Sequence, residues 1–474
     1  MTPVSTEQPS TTVRASRALT PTLVYIGLLI AVVSSLGAPL IPTVAADYDV
    51  SLGSAQWSVT LTLLVGALAS PIVGKLGDGP RRRQVLLTAL AILLAGSVLA
   101  AFPLPFALML AGRAMQGVGL ALLPLLMSVA RDNLGPDEAR AAVATLSVTA
   151  VVGIGLGYPL MGLIAGSLGF HAGFWLAVGL AVVAIILVAI VVPPSRTRLA
   201  TPFDLVGTLL LGPGIACLLV ALSEGPVWGW ASPRTLAAFG VAAVLLGVWF
   251  RRELRTPHPL VNLRLMRNPS VLAANVTGLV AGVGMYMLMS MVIRYVQTPT
   301  SVSYGLGAPV VVAGLVLVPM SVCSFAVNTL VGRLGAGISP RVLLPTGVAM
   351  FGVALLLFAV ARSRLWEMFV VMGFAGLGTG LVFAVLPRMV VAGVPLEETS
   401  SGLAMHQVLR TVGYSVGSAL SATILTARTV APSRFPENSG YTVGAFVAIG
   451  LCVAAAIGGR LLQARPAPRV DQLT

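Results

Sequence analysis

Inside its long apolar stretches the chain places very few residues that could do chemistry, and those few are basic. Arg113 stands in RAMQGVGLALLP, with Gln116 one helical turn on. His406 and Arg410 stand four apart in HQVLRTVGYSVG, which puts them on one face of a helix. Burying a charge in lipid is costly, so an ionisable residue in such a run faces a bundle interior or a wet cavity and is a site candidate by default. Arg113 either ties two helices together through backbone carbonyls or has a functional place on the wall of a wet cavity. Arg410 is open to the same two readings, tie or cavity wall. His406 is the one mid-run side chain that titrates near neutrality, as a proton site or as a hydrogen-bonded packing residue. No carboxylate lies mid-run. Asp78, Asp132, Asp137, Glu138, Glu397 and Glu398 fall between runs, Asp204 begins one, and Glu224 and Glu367 stand at run ends. The desolvated Asp or Glu whose raised pKa usually carries a proton is missing.

Three other stretches stand out. Gly74 to Leu86 reads GKLGDGPRRRQVL: Gly-rich, strongly basic, with one carboxylate, Asp78, followed by Arg81, Arg82 and Arg83. That charge density cannot lie in lipid, so the stretch is expected to be a tight loop at a membrane surface. A looser copy, GRLGAGISPR, follows at Gly332–Arg341. In VVGIGLGYPLMGLIAG, the glycines Gly153, Gly157, Gly162 and Gly166 recur at spacings that let helix backbones approach closely. Pro159 in the same stretch is expected to kink the helix. MYMLMSM, Met285 to Met291, offers an adaptable apolar surface, which suits either a broad cavity, with Met285 and Tyr286 on its wall, or lipid-facing and core filler.

The elements that must position these residues are membrane helices. Of 474 residues, 57% are hydrophobic and 9% charged, and the mean hydropathy is +0.96. A soluble domain carries about 25% charged residues, so too little polar surface exists to cover one. Long continuous apolar runs exclude a β-barrel, whose strands alternate in polarity. The runs are 20–44, 55–74, 84–102, 105–129, 142–166, 171–192, 203–223, 233–250, 270–295, 308–331, 341–361, 366–387, 402–427 and 440–462. Fourteen runs, each near the ~20 residues a bilayer demands, imply fourteen transmembrane helices. The net charge of +14 comes almost wholly from arginine and falls on one set of loops, which reads as positive-inside topology with both termini cytoplasmic rather than as nucleic-acid binding. Cys217, Cys323 and Cys452 lie far apart in apolar runs, with no metal or CxxC spacing. No GxxxxGK[ST] or HExxH is present, and the one-letter match to GxSxG, GYSVG at Gly413–Gly417, lies inside a long apolar run rather than on a strand-to-helix turn, so neither an ATP motor nor those hydrolytic chemistries are expected.

The halves repeat. Gly74 maps to Gly332 at an offset of 258, Glu138 and Gly153 to Glu398 and Gly413 at 260, and Pro124 to Pro387 at 263. Runs one to six therefore correspond to runs nine to fourteen, with two left over. The expected organisation is a cytoplasmic tail (1–19), a six-helix bundle (20–192), two inserted helices (203–250), a partly amphipathic cytoplasmic linker (251–269), a second six-helix bundle (270–462) and a tail (463–474). Parallel six-helix repeats around a midplane site are a transporter plan.

These residues resemble the major facilitator superfamily. Gly74, Leu76, Asp78, Arg82 and Arg83 fall on its signature between helices 2 and 3, although Gly79 stands where a basic residue is usual and Arg81 where a glycine is. Arg113, Gln116, Gly117 and Gly119 fall on the helix-4 signature, whose arginine the family links to proton coupling. Gly153, Gly157 and Gly162 resemble the helix-5 antiporter motif, its Gly-Pro pair split here into Gly157, Tyr158 and Pro159. The fourteen runs, GPVWGW (Gly225–Trp230) and PLVNLRLMRNPSVLAAN (Pro259–Asn275) resemble the drug:proton antiporter branch with fourteen spans. Two departures are clear. The first run reads VVSSLGAPLIP, with Ser34 and Ser35 where an acid is common, and Ala336 takes the aspartate position in the second loop copy.

The resemblance implies a major facilitator fold and a secondary active exporter of hydrophobic or amphipathic small molecules. Proton antiport and alternating access would drive it. Gly74, Asp78, Arg82 and Arg83 would form a cytoplasmic latch, with Asp78 and Arg82 acting together. Arg113, Gln116 and His406 are the proton-coupling candidates, Gly153, Gly157, Pro159 and Gly162 the antiporter motif, and Arg410, Met285 and Tyr286 the cavity candidates. The expected partners are a small-molecule substrate, protons and the bilayer, with no nucleic acid; the chain is expected to be a plasma-membrane monomer without cofactor, metal or enzymatic activity. The alternatives are a dedicated exporter or importer of one endogenous metabolite or lipid, and a non-transporting sensor or scaffold.

Overall fold

The computed structural model describes residues 13–36, 41–50, 52–194, 204–257, 259–333, 340–429 and 435–463, all helix, turn or loop. Thirteen segments among the described residues are long and apolar enough to cross a membrane. A further helix of 33 residues, Pro136–Leu168, completes fourteen, its side chains only partly described.

In the first half the helices are α1 (Val13–Ser35), α2 (Ile41–Asp47), α3 (Leu52–Gly77), α4 (Arg82–Ala101), α5 (Phe106–Gly117), α6 (Leu122–Asn133), α7 (Pro136–Leu168) and α8 (His171–Val191). The inserted pair is α9 (Leu205–Trp228) and α10 (Pro233–Glu253). The second half holds α11 (Pro269–Gln297), α12 (Val310–Leu315), α13 (Val318–Arg333), α14 (Pro340–Val360), α15 (Leu365–Gly393), α16 (Thr399–Ala427) and α17 (Asn438–Gln463).

Several boundaries differ from the apolar runs. Helix starts at Val13 rather than at 20, and the first run is divided between α1 and α2. The fourth run is α5 and α6 joined by a 3-10 turn at Val118–Ala121. Gly74 to Gly77 is the last turn of α3 and Arg82 opens α4, so only 78–81 is turn. The second loop copy lies largely outside the described residues, including Ala336.

Between helices in lipid there is little hydrophobic driving force, so close packing of small residues holds the bundle together. The two halves use the same device at corresponding places. A side chain at Gly153 would overlap Ala31, and one at Gly157 would overlap Ser35 Oγ, where α7 crosses α1. Gly413 and Gly417 of α16 press on the carbonyls of Leu279 and Val283 of α11. The linker after α10 does not skim a surface. Leu260, Val261 and Leu263 are buried with Leu211, Ile215, Leu219 and Trp249 of the inserted pair, Ala67 of α3 and Val408 of α16. The inserted helices thus cover the seam between α3 and α16, and Trp230 Nε1 donates to Thr423 Oγ1 at 2.9 Å farther along α16.

Candidate functional site

The two bundles meet at the α3–α4 turn. The first turn of any helix leaves four N–H groups without partners, and the N-cap residue of α16, Glu398, supplies no side-chain cap. Asp78 supplies it from the other bundle. Its Oδ1 accepts from Ser400 N at 2.8 Å, and its Oδ2 accepts from Ser401 N at 3.0 Å and Ser401 Oγ at 2.5 Å. A carboxylate is favoured at this positive end of the helix dipole. Asp78 is only 9% exposed, and burial pushes its carboxyl up to about 6, with the serine donors working in the opposite direction. Gly74 permits the approach: a Cβ there would meet the Cβ of Ala404 at 2.7 Å.

Arg82 does not pair with Asp78, contrary to the expectation of a joint latch. Its guanidinium forms an ion pair with Asp132 at the end of α6, and its Nε donates to the Gly77 carbonyl at 2.5 Å. Asp132 stands where the arginine points when α4 leaves the turn, whereas Asp78 is turned toward α16. Arg83 donates to the Ala189 carbonyl on α8. Both arginines therefore brace the first bundle. The second cross-bundle contact comes from Arg131, which the motifs do not single out. It donates to the carbonyls of Val394 (3.3 Å) and Pro395 (3.4 Å) and to Thr399 Oγ1. Its sequence signal, a basic residue in a helix's last turn beside Asp132, is common. A third contact, Ser147 Oγ to the Phe383 carbonyl, joins α7 to α15.

Arg113 is 1% exposed and bound by carbonyls. Its Nε donates to Ser58 O at 3.0 Å, and its Nη1 donates to Val33 O at 3.3 Å and to Gln116 Oε1 at 2.6 Å. Gln116 Nε2 passes the chain to Ser97 Oγ at 2.9 Å. One residue thereby fastens α1, α3, α4 and α5. Its other terminal nitrogen, Nη2, is buried without a partner, and the guanidinium lies 5.8 Å from the Phe174 ring centroid.

His406 Nδ1 faces Asn275 Oδ1 at 3.0 Å across α16 and α11, and its Nε2 is buried without a partner. Arg410 donates to Gln407 Oε1 at 2.5 Å and lies over Phe383 (5.1 Å) and Tyr414 (5.9 Å), with Nε unpartnered. Tyr414 stacks on Tyr286 at 4.6 Å. Met285 is buried in the second bundle's core. His406, Arg410 and Tyr286 are therefore brought together in one polar and aromatic group, and Arg113 with Gln116 forms another. Pro159 is buried inside α7; the surroundings of Gly162 lie outside the described residues. A small apolar cleft opens among α11, α14, α15 and α17, with Thr277, Phe351, Thr379, Phe383 and Cys452 on its walls. Of the proposed site residues none lines it, but Phe383 is shared with Arg410.

The model of the Major Facilitator Superfamily matches residues 23–298. Among characterised sequences, the chain is similar to a multidrug resistance protein B homolog of Mycobacterium tuberculosis, 26% identical over 395 residues, covering 81% of this chain and 71% of that one. It is 28% identical over 450 residues to the multidrug efflux pump LfrA of Mycolicibacterium smegmatis, covering 92% and 87%. It is 26% identical over 461 residues to the tetracenomycin C resistance and export protein of Streptomyces glaucescens, covering 92% and 82%. Its fold is similar to the crystal structure of the human organic anion transporter MFSD10 (TETRAN), with a TM-score of 0.66 at 15% identity, covering 95% of this chain and all of that one. A family model that spans more than half of the chain, on a fourteen-helix scaffold of two bundles clasped at the signature loop, makes this chain a membrane transporter of the major facilitator superfamily.

Proposed function

We propose that this transporter exports hydrophobic or amphipathic small molecules across the plasma membrane by proton antiport and alternating access, with the α3–α4 face and both termini in the cytoplasm. The observation that carries the reading is the clasp of Asp78 on the first turn of α16. It joins the bundles through polar contacts that water can replace when they part, so its opening and closing can admit substrate from the cytoplasm. The names of the relatives, for multidrug resistance, efflux and export, support the direction and the breadth of cargo.

Charge narrows the cargo. Among the described residues no carboxylate hydrogen-bonds to Arg113 or Arg410. A cation needs a desolvated counter-charge, and these helices offer positive groups instead. The substrates are therefore neutral or anionic. His406, with Nε2 buried and unpartnered and Nδ1 on Asn275, stands with Arg113 and Gln116 as a proton-coupling candidate. Arg113 holds a fixed positive charge among α1, α3, α4 and α5 and keeps the first bundle's inner face free of bound cations. Gly153 and Gly157 keep α7 tight on α1, and so seal the first bundle against proton leak.

The test is flux in liposomes under an imposed pH gradient, with neutral, anionic and cationic fluorescent compounds. Arg113→Ala, Asp78→Ala and His406→Gln are run beside the parent. Gradient-driven movement of several unrelated neutral or anionic compounds, abolished in the three variants, is expected. Flux that ignores the gradient, or that is confined to one compound, would instead mark a facilitator or a dedicated exporter.

A further inference from the structure

The base of the inserted helix pair holds a second group of titratable side chains, apart from the clasp and from the seam residues. Asp204 caps α9, accepting from Gly207 N at 2.8 Å through Oδ1, and the same oxygen takes Arg252 Nη2 at 2.9 Å. Glu253, the last residue of α10, accepts the Val261 N–H at 2.5 Å through Oε1. Asp204 is 7% exposed and Glu253 2%. Each keeps one buried oxygen without a partner, Asp204 Oδ2 and Glu253 Oε2. Both oxygens face the same spot: a Cβ on Gly207 would meet Asp204 Oδ2 at 2.5 Å and Glu253 Oε2 at 3.2 Å.

Two buried carboxylates that converge in this way, with one arginine between them, carry one negative charge too many. The other charged groups of the neighbourhood do not supply the deficit. Arg251 and Arg255 are exposed on either side, Arg264 of the linker is turned to the Leu254 carbonyl at 3.4 Å, and Glu398 at the start of α16 is bound by Asn262. On α3 the charged residue at this end is Lys75, in its last turn. When like-charged carboxylates share a site, one holds a proton in preference to both ionising.

We propose that Asp204 and Glu253 together form a proton-binding site, and that loss of its proton undocks the linker segment 260–263 from the α3–α16 seam. With the proton bound, the pair carries a single charge matched by Arg252, and Glu253 Oε1 remains the acceptor for Val261. When the proton leaves to solvent, the two carboxylates repel and Glu253 swings out, taking its bond to Val261 with it. Leu260, Val261 and Leu263 then lose their anchor against Ala67 and Val408. The next residue, Asn262, donates to both oxygens of Glu398 at 3.2 and 3.1 Å, one residue before α16 begins. The helix that receives the Asp78 clasp is thus tied to the proton site by the linker. The inference concerns linker docking and goes beyond the export reading.

The test is hydrogen–deuterium exchange of the full chain in lipid nanodiscs, read on peptides covering 254–268 and corrected for the intrinsic pH dependence of exchange. Asp78→Asn serves as the background, so that the clasp does not contribute. The parent is expected to keep constant protection at low pH and to lose about tenfold per pH unit above the transition. Glu253→Gln, which keeps the acceptor for Val261 without the charge, is expected to stay protected throughout, and Glu253→Ala to be unprotected throughout. Asp204→Asn removes the repulsion from the other side and is expected to flatten the profile, which carries the test if Glu253→Gln does not fold. A flat parent profile, or a Glu253→Gln linker as open as that of Glu253→Ala, would overturn the proposal. No transport by the parent protein, with the pH-dependent exchange of 254–268 still observed, would count against the export reading and support this one.

Discussion

Asp78 and Ser401 stand 323 residues apart in the chain, yet Asp78 Oδ2 accepts both the backbone N–H and the hydroxyl of Ser401. A local N-cap would have fixed the end of α16 within its own bundle. Here the missing cap comes from the other bundle, so capping the helix and joining the two bundles at this end are one contact. Arg131, on the carbonyls just before α16, holds the same short segment from α6.

The clasp should depend on pH. Burial lifts Asp78 from an ordinary value of 3.8 to about 6. Below the ordinary value the carboxyl is neutral whether docked or free, and the clasp is at full strength. As pH rises the free carboxyl ionises first, so closing costs more and more, until the docked carboxyl has ionised as well above about 6. A shift of this size is worth about 3 kcal/mol between the two limits. Exchange of the Ser400 and Ser401 amides, corrected for intrinsic rates, should rise through that window, and Asp78→Asn should abolish the dependence. Protection that strengthens with rising pH would show the serine donors, not burial, to dominate.

Gly157→Ala should destabilise the chain by about 1–3 kcal/mol through overpacking, because the new methyl overlaps Ser35 Oγ. Ser35→Gly in the same chain should restore most of the loss. Thermal unfolding of the two single variants and the double variant checks this. An unaltered melting temperature in Gly157→Ala would mean that α1 and α7 are not packed at that point.

Arg362 ties the far end of the second bundle. It donates to the carbonyls of Phe358 and Ala359, to Asn438 Oδ1 and O, and to Thr442 Oγ1, and it lies over the rings of Tyr295 and Phe358. Arg362→Ala should cost about 2–4 kcal/mol, since several buried acceptors lose a charged donor. Arg362→Lys should recover little, because one ammonium cannot span the fork. Melting curves in detergent decide it, and a loss within experimental error would contradict the assignment.

The scaffold was legible because a bilayer demands about 20 apolar residues per crossing, and that demand is written in every run from 20–44 to 440–462. Asp78 drew attention because a lone acid stands in a Gly-rich basic turn. Its partner was not legible: which arginine meets which carboxylate depends on how α4 and α6 cross, and Arg82 takes Asp132. Arg113 kept two readings in the sequence, and the carbonyls of Val33 and Ser58 supply the tie. Glu253 was hidden because RRELR looks like a solvated charge run. Only the fold turns that one side chain inward while Arg251 and Arg255 stay out. The linker's burial was equally hidden, since Leu260, Val261 and Leu263 suit a membrane surface as well as a seam.

The most direct test of the central claim is a distance across the clasp. Spin labels at Arg140→Cys on α7 and Leu396→Cys before α16, both exposed positions away from Asp78, report the separation of the two bundles at this end once Cys217, Cys323 and Cys452 are replaced. Pulsed electron resonance is then recorded on the parent and on Asp78→Ala at about pH 4, the low end of the window, where the clasp is strongest. The account expects a dominant short distance in the parent and a shift of population to a longer one in Asp78→Ala, by about five- to thirtyfold for the loss of a helix cap worth about 1–2 kcal/mol. Identical distance distributions in the two proteins would contradict it, and would leave Asp78 as a cap with no part in holding the bundles together.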